Sequence, residues 1–204
     1  MLNRGLYVIT DTGLGDRLLP AVEQALRGGA VVVQYRDKSD DRERRLGEAR
    51  ALATLCRFYH VPLLINDDVD LAVAIKADGV HLGRGDGSLR TARQRLGANA
   101  ILGATCHDSL IFATEAAALG ADYLAFGAMF PSPTKPLARR ADPALLTDAR
   151  VRFGLPVVAI GGITVDNAPE LITAGSYNLA VITDIFRLPT DAIRARAEAY
   201  GHLF

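Results

Sequence analysis

The chain is poor in cysteine and has no excess charge of either sign. Its two cysteines, Cys56 and Cys106, lie in apolar surroundings without the paired spacing of a zinc site or a disulfide framework, which suits a reducing compartment. Both read as small core residues. Lys and Arg number 23 against 23 Asp and Glu, so no net field recruits nucleic acid or an anionic membrane surface. Any anion must therefore be bound locally. No apolar run approaches the ~18 residues of a membrane span, and the one in MLNRGLYVITD is too short for a signal peptide. The chain is expected to be soluble and cytoplasmic, with small phosphorylated molecules as partners and no nucleic acid or membrane; self-association into a homo-oligomer is compatible with it. No histidine or thiolate pattern of a transition-metal site is present, and no linker-like or low-complexity stretch divides the 204 residues.

What is present is a rhythm. Short β-branched runs recur at Leu6–Thr10, Val31–Tyr35, Pro62–Ile65, Gly79–Leu82, Ile101–Thr105, Tyr123–Phe126, Val157–Ile160 and Asn178–Ile182. Between them lie segments with helical spacing such as Arg17–Arg27, Asp41–Phe58, Leu110–Leu119 and Pro169–Thr173. Glycine-containing phrases such as Gly28-Gly29-Ala30 and Gly120-Ala121-Asp122 stand where a helix should stop and the next strand begin. Eight strands in strict alternation with helices predict an α/β fold, most simply a compact parallel (β/α)8 TIM barrel forming a single domain over residues 1–204. A doubly wound open sheet is the alternative.

In a barrel the ligand sites lie at the C-terminal strand ends. The second strand ends Gln34-Tyr35-Arg36-Asp37-Lys38, and period-two alternation puts Gln34, Arg36 and Lys38 on one side of the chain, two of them cationic. The third ends Asn66-Asp67-Asp68, and Asp86 follows the fourth. Carboxylates beside cationic residues suggest Mg2+ held by few protein ligands, with substrate phosphates completing its shell. A surface ion-pair network with Asp68 as a helix cap is the competing reading. Thr105 ends the fifth strand as a candidate ligand hydrogen bonder, Asp108 is expected to cap the next helix, and His107 is a candidate acid/base.

After the seventh strand come Gly161 and Gly162, and after the eighth Thr183. A glycine pair there, with a helix N-terminus following the eighth strand, matches the usual phosphate site of the fold. Two anion sites thus face each other across one barrel mouth, the first suited to a diphosphate and the second to a monophosphate. In strand order between them lies FPSPTKPLARR, residues 130–140, stiffened by Pro131, Pro133 and Pro136.

Gln34-Tyr35-Arg36-Asp37-Lys38, Asn66-Asp67-Asp68, His81-Leu82-Gly83, Phe126-Gly127, Pro131-Ser132-Pro133-Thr134-Lys135, Gly161-Gly162-Ile163 and Val181-Ile182-Thr183 together resemble, in order, the successive motifs of the thiamine phosphate synthase family. The resemblance implies condensation of an aminopyrimidine-methyl diphosphate with hydroxyethylthiazole phosphate, releasing diphosphate. It implies that Gln34, Arg36, Lys38, Asn66, Thr105 and Lys135 bind the pyrimidine diphosphate, with Tyr35 and Asp37 of the same motif counted in that set. Asp67 and Asp86 would hold Mg2+. Ser132, Pro133, Thr134, Gly161, Gly162, Ile182 and Thr183 would hold the thiazole phosphate. Lys135, Arg36 and Lys38 are the implied catalytic cations, acting on charge that grows on the leaving diphosphate, and Arg139 and Arg140 are either steering charges or a solvated pair.

Thr105 and Thr183 stand where the family often has serine, and Ser176-Tyr177-Asn178 where Ala-Asp-Gly is common. Asp184 stands where a small residue is usual. A carboxylate there either points into the site against the phosphate or faces outward as a helix cap, and the outward cap is the favoured expectation. A thiazole tautomerase of the same superfamily, using a residue such as His107, and a non-catalytic phosphate-binding barrel are the alternative functions.

Overall fold

The β-branched runs fold as short parallel strands and the Ala- and Leu-rich segments between them as helices. The computed structural model describes residues 2–131 and 140–204. Its strands are β1 (Gly5–Ile9), β2 (Val32–Tyr35), β3 (Leu63–Asn66), β4 (Gly79–Leu82), β5 (Ile101–His107), β6 (Tyr123–Phe126), β7 (Val157–Ile160) and β8 (Asn178–Val181). They pair in chain order, and β8 closes onto β1 from Gly5↔Asn178 to Val8↔Val181. The sheet is therefore a closed, all-parallel barrel, as the alternation predicts, and the open-sheet alternative is excluded. β5 runs past Thr105 to His107, with a register shift against β6 between those two residues.

The helices are α1 (Leu18–Arg27), α2 (Arg42–Phe58), α3 (Val69–Ile75), α4 (Leu89–Leu96), α5 (Leu110–Ala118), α6 (Ala144–Phe153), α7 (Ala168–Thr173), α8 (Thr183–Phe186) and α9 (Thr190–Gly201). Their starts follow from local chemistry: the side chains of Asp41 and Asp68 accept from the backbone N–H groups of Arg44 and Leu71. The cap of α5 is Ser109, which accepts from Phe112 N, rather than Asp108 as the sequence suggests. Ser109 has the extended backbone a cap needs, and Asp108 instead lines the barrel mouth.

Period two sorts each strand between two cores. Leu6 and Val8 of β1 join the core between sheet and helices, while Tyr7 and Ile9 join Val32, Leu64, Tyr123, Ala125, Val158 and Ala180 inside the barrel. Each fully buried Leu or Ile contributes roughly 1.5–3 kcal/mol of hydrophobic stabilisation. Inside the barrel, a Cβ at Gly103 would overlap the Tyr123 ring, so glycine at that position is what lets Tyr123 lie across the interior. Above these residues, toward the strand C-termini, the barrel opens into a cavity.

Candidate active site at the barrel mouth

The cavity has a volume of about 490 Å³, and its wall includes Gln34, Arg36, Asn66, Thr105, Gly161, Gly162, Ile182 and Thr183. Residues expected at a diphosphate site and residues expected at a phosphate site thus line one space. A second cavity of about 310 Å³ is lined by Asp67, Asp86 and neighbouring residues from the starts of α3 and α4.

The charged corner is built by β2, β3 and the loop after β4. The Lys38 ammonium pairs with the Asp67 carboxylate, which also accepts from Asn66 Nδ2 at 2.6 Å. Arg36 is placed through its backbone, whose N–H donates to Thr10 Oγ1 at 2.9 Å, and its guanidinium lies 3.7 Å from Asp11. Asp67 has a left-handed backbone, φ 63°, which costs a non-glycine residue about 1 kcal/mol. Such strain collects at functional sites, where the surroundings over-determine it. Asp86 accepts from Gly83 N at 3.0 Å; burial first, and then the facing Asp67 carboxylate, raise its pKa.

Among the described residues no group of three His, Cys, Asp or Glu side chains converges on a metal position. The two carboxylates of Asp67 and Asp86 nonetheless fit Mg2+, which takes one or two protein carboxylates and keeps waters or substrate phosphate oxygens in its other positions. A carboxylate whose pKa is raised by a facing acid, as that of Asp86 is, marks a place where a divalent cation relieves repulsion. Asp68 stands apart from the pair: it caps α3 and accepts from Arg45 Nη2 at 2.7 Å.

Tyr35 and Asp37 lie on the opposite side of β2 from Gln34 and Arg36, against α2. The Tyr35 hydroxyl donates to Glu48 at 2.6 Å, and Asp37 accepts from Ser39 N and from Arg44 Nη2, both at 2.7 Å. Burial pushes the Asp37 pKa up, but these partners more than reverse it, and it sits below the ordinary range. Both residues brace the strand that carries the cavity residues.

The cavity floor holds three residues that the sequence reading did not single out as functional. Gln34 Nε2 donates to the Tyr7 hydroxyl at 2.5 Å, and the Tyr7 and Tyr123 hydroxyls lie 2.9 Å apart. His81 Nδ1 is 2.8 Å from the Tyr123 hydroxyl, and its Nε2 is 2.8 Å from Thr105 Oγ1. Burial raises both phenol pKa values and lowers that of His81 to about 4, the latter opposed in part by the Asp67 charge. All three side chains are neutral at pH 7. Tyr7 and His81 are flanked by apolar strand residues, and Tyr123 opens the apolar strand β6, so all three pass for core; the available signal is a polar-tipped side chain at an inward position of its strand.

Opposite the charged corner, Gly161 and Gly162 take φ of 104° and 63°. A Cβ at Gly162 would run into the carbonyls of Phe130 and Pro131, so only glycine brings the backbone to this edge. Asp184, in the first turn of α8, is turned outward: Tyr200 donates to it at 2.8 Å and Arg196 at 3.3 Å. The outward expectation holds, yet Asp184 ties α8 to α9 rather than capping a helix. Arg140 Nε donates to the Met129 carbonyl at 3.4 Å, and His107 and Asp108 also line the mouth. Ser132, Pro133, Thr134, Lys135 and Arg139 lie outside the described residues.

The profile of the thiamine monophosphate synthase family matches residues 6–185. The chain is 55% identical over 202 residues to a thiamine-phosphate synthase of Azoarcus sp. (strain BH72), covering 98% of this chain and 97% of that one. It is 54% identical over 195 residues to a thiamine-phosphate synthase of Thiobacillus denitrificans, covering 95% and 92%. The solved thiamine phosphate pyrophosphorylase from Pyrococcus furiosus superposes with a TM-score of 0.87 at 35% identity, covering 98% of this chain and 94% of that one.

Proposed function

The chain belongs to the thiamine monophosphate synthase family, and from that premise we propose that it joins 4-amino-2-methyl-5-(diphosphooxymethyl)pyrimidine to hydroxyethylthiazole phosphate, giving thiamine phosphate and diphosphate. The observation that carries this reading is the single cavity walled by Gln34, Arg36 and Asn66 on one side and by Gly161, Gly162, Ile182 and Thr183 on the other. Two phosphorylated substrates can be held there face to face.

In this proposal the bond from the methylene carbon to the diphosphate oxygen breaks first, and its electron pair leaves with the diphosphate. The thiazole nitrogen lone pair then forms the new C–N bond to the pyrimidine-stabilised cation. No proton has to be removed from that nitrogen, which suits a floor whose titratable groups are buried and neutral. Arg36 and Lys38 meet the charge growing on the leaving group, Asn66 fixes its position, and Gln34 holds the pyrimidine end of the same substrate. Mg2+ held by Asp67 and Asp86 would neutralise part of the diphosphate charge. The family resemblance gives Lys135 the same task, and gives Ser132, Pro133 and Thr134 the thiazole phosphate together with the Gly161–Gly162 edge. Cys56 and Cys106 are both buried and unpaired, which supports a cytoplasmic setting.

Incubation of the purified protein with both substrates and Mg2+ tests the reading. Thiamine phosphate and diphosphate should appear in equal amounts, and activity should vanish with EDTA and return with Mg2+. Full activity in metal-free buffer rejects the metal site. An isomerised thiazole, or binding of both ligands without turnover, rejects the synthase reading.

A further inference from the structure

Five strands contribute one side chain each to an unbroken hydrogen-bond chain across the cavity floor, in the order Gln34, Tyr7, Tyr123, His81, Thr105. Its direction can be followed proton by proton. The Gln34 NH2 group only donates, so the Tyr7 oxygen accepts. The Tyr7 proton then goes to the Tyr123 oxygen, and the Tyr123 proton to His81 Nδ1. A neutral imidazole carries a single N–H, which must now sit on Nε2 and be donated to Thr105 Oγ1. The Thr105 hydroxyl, having accepted, turns its own proton to the cavity, while Gln34 keeps its carbonyl oxygen as an acceptor beside its second N–H, so the donor at Thr105 is what sets the polarity.

With Gln34 Nε2 facing Tyr7, the reverse direction is the poorer one. It would place two donors on the Tyr7 oxygen and leave the Tyr7 proton unmatched at a residue only 1% exposed. An unmatched buried donor is the costly case for a hydrogen bond.

We propose that Tyr7, Tyr123 and His81 are positioning residues that give the floor a fixed polarity, with an acceptor at Gln34 and a donor at Thr105. This inference rests on the synthase reading and adds to it. An aminopyrimidine offers an exocyclic amino donor and a ring-nitrogen lone pair, which match that polarity in one orientation only. Turned over, the ring sets donor against donor. The correct orientation aims the methylene diphosphate at Arg36 and the Asp67–Asp86 pair, so the chain decides where the leaving group points without touching it.

The first measurement uses protein labelled with 15N-histidine and no substrate, with the His81 signals assigned by comparison with His81→Gln. The expected result is a neutral ring protonated on Nε2; a ring protonated on Nδ1 overturns the proposal. The second uses Tyr123→Phe, which breaks the chain beside His81. The fixed tautomer should give way to a mixture, and KM for the pyrimidine diphosphate should rise roughly tenfold, the worth of about one hydrogen bond, while KM for the thiazole phosphate stays. An unchanged tautomer and KM overturn the proposal. Should Tyr123→Phe fail to fold, Thr105 supplies the same measurement: Thr105→Val should lose the tenfold and Thr105→Ser recover most of it, and equal values for the two also overturn it. Wild-type turnover tests the synthase reading separately, because the tautomer is read without substrate.

Discussion

The two sides of the barrel mouth are built on different principles. At the β2–β4 corner, charged side chains neutralise one another in advance: Lys38 with Asp67, Arg36 near Asp11, Asn66 onto Asp67. At the β7–β8 edge, the approach is made by the bare backbone of Gly161 and Gly162 with the Thr183 hydroxyl nearby, and the neighbouring carboxylate of Asp184 is drawn away by Arg196 and Tyr200. The proposed chemistry explains the difference. Charge grows on the diphosphate as its bond breaks, so groups facing it must respond to a change. The thiazole phosphate keeps its charge throughout and needs only a fixed dipolar seat.

If that division holds, damage should sort by side. The largest effect is expected from Asp86→Asn, which weakens the proposed metal pair. At low Mg2+, kcat should fall roughly a hundredfold, about 3 kcal/mol, with partial recovery at high Mg2+. An unchanged Mg2+ dependence in steady-state kinetics would break the comparison. Next comes Gly162→Ala, which must adopt a φ of 63° and meets two carbonyls. KM for the thiazole phosphate should rise roughly tenfold, from about 1–2 kcal/mol of strain, with the pyrimidine diphosphate KM unmoved. Equal shifts for both substrates would show that the two sides are not separate.

Smaller effects should come from the braces behind each side. Asp184→Ala leaves the buried Tyr200 hydroxyl and Arg196 without their shared acceptor, so unfolding in denaturant should show a loss of about 1–2 kcal/mol while both KM values stay. A lowered thiazole phosphate KM would mean that the carboxylate reaches the site after all. Behind β2, the depressed pKa of Asp37 implies stability that is present above about pH 4 and lost as the pH falls through its folded value. Asp37→Asn should therefore cost about 1 kcal/mol at pH 7 and flatten the fall in Tm on acidification. A parallel fall in the two proteins would remove Asp37 from that account.

The barrel was legible because β-branched runs and helical spacing alternate without interruption, and because period two alone places Gln34 and Arg36 on the cavity side of β2. The same rule separates Tyr35 and Asp37 from them, although motif resemblance groups all four. Less legible was the floor. Tyr7 between Leu6 and Val8, and His81 between Val80 and Leu82, look like core positions, and their partners come from strands far apart in the chain. Spacing within one strand carries no trace of a hydrogen bond spanning 116 residues, as between Tyr7 and Tyr123. Asp108 was misread as a cap because an acid before a helix commonly is one, whereas Ser109 one residue later has the required backbone.

The inner core has one further consequence. A barrel of this kind is ordinarily filled by stacked layers of side chains, but here the stack stops at Tyr7 and Tyr123 and the space above is cavity. On the proposed function, the substrates would serve as the missing top storey of the interior. Folding and catalysis would then share that storey, and by mass action a ligand at a hundred times its Kd adds about 2.7 kcal/mol to the folded state. For such a protein, substrate supply acts also as a chaperone of the finished fold: a well-fed cell holds the same polypeptide in a sturdier form than a starved one.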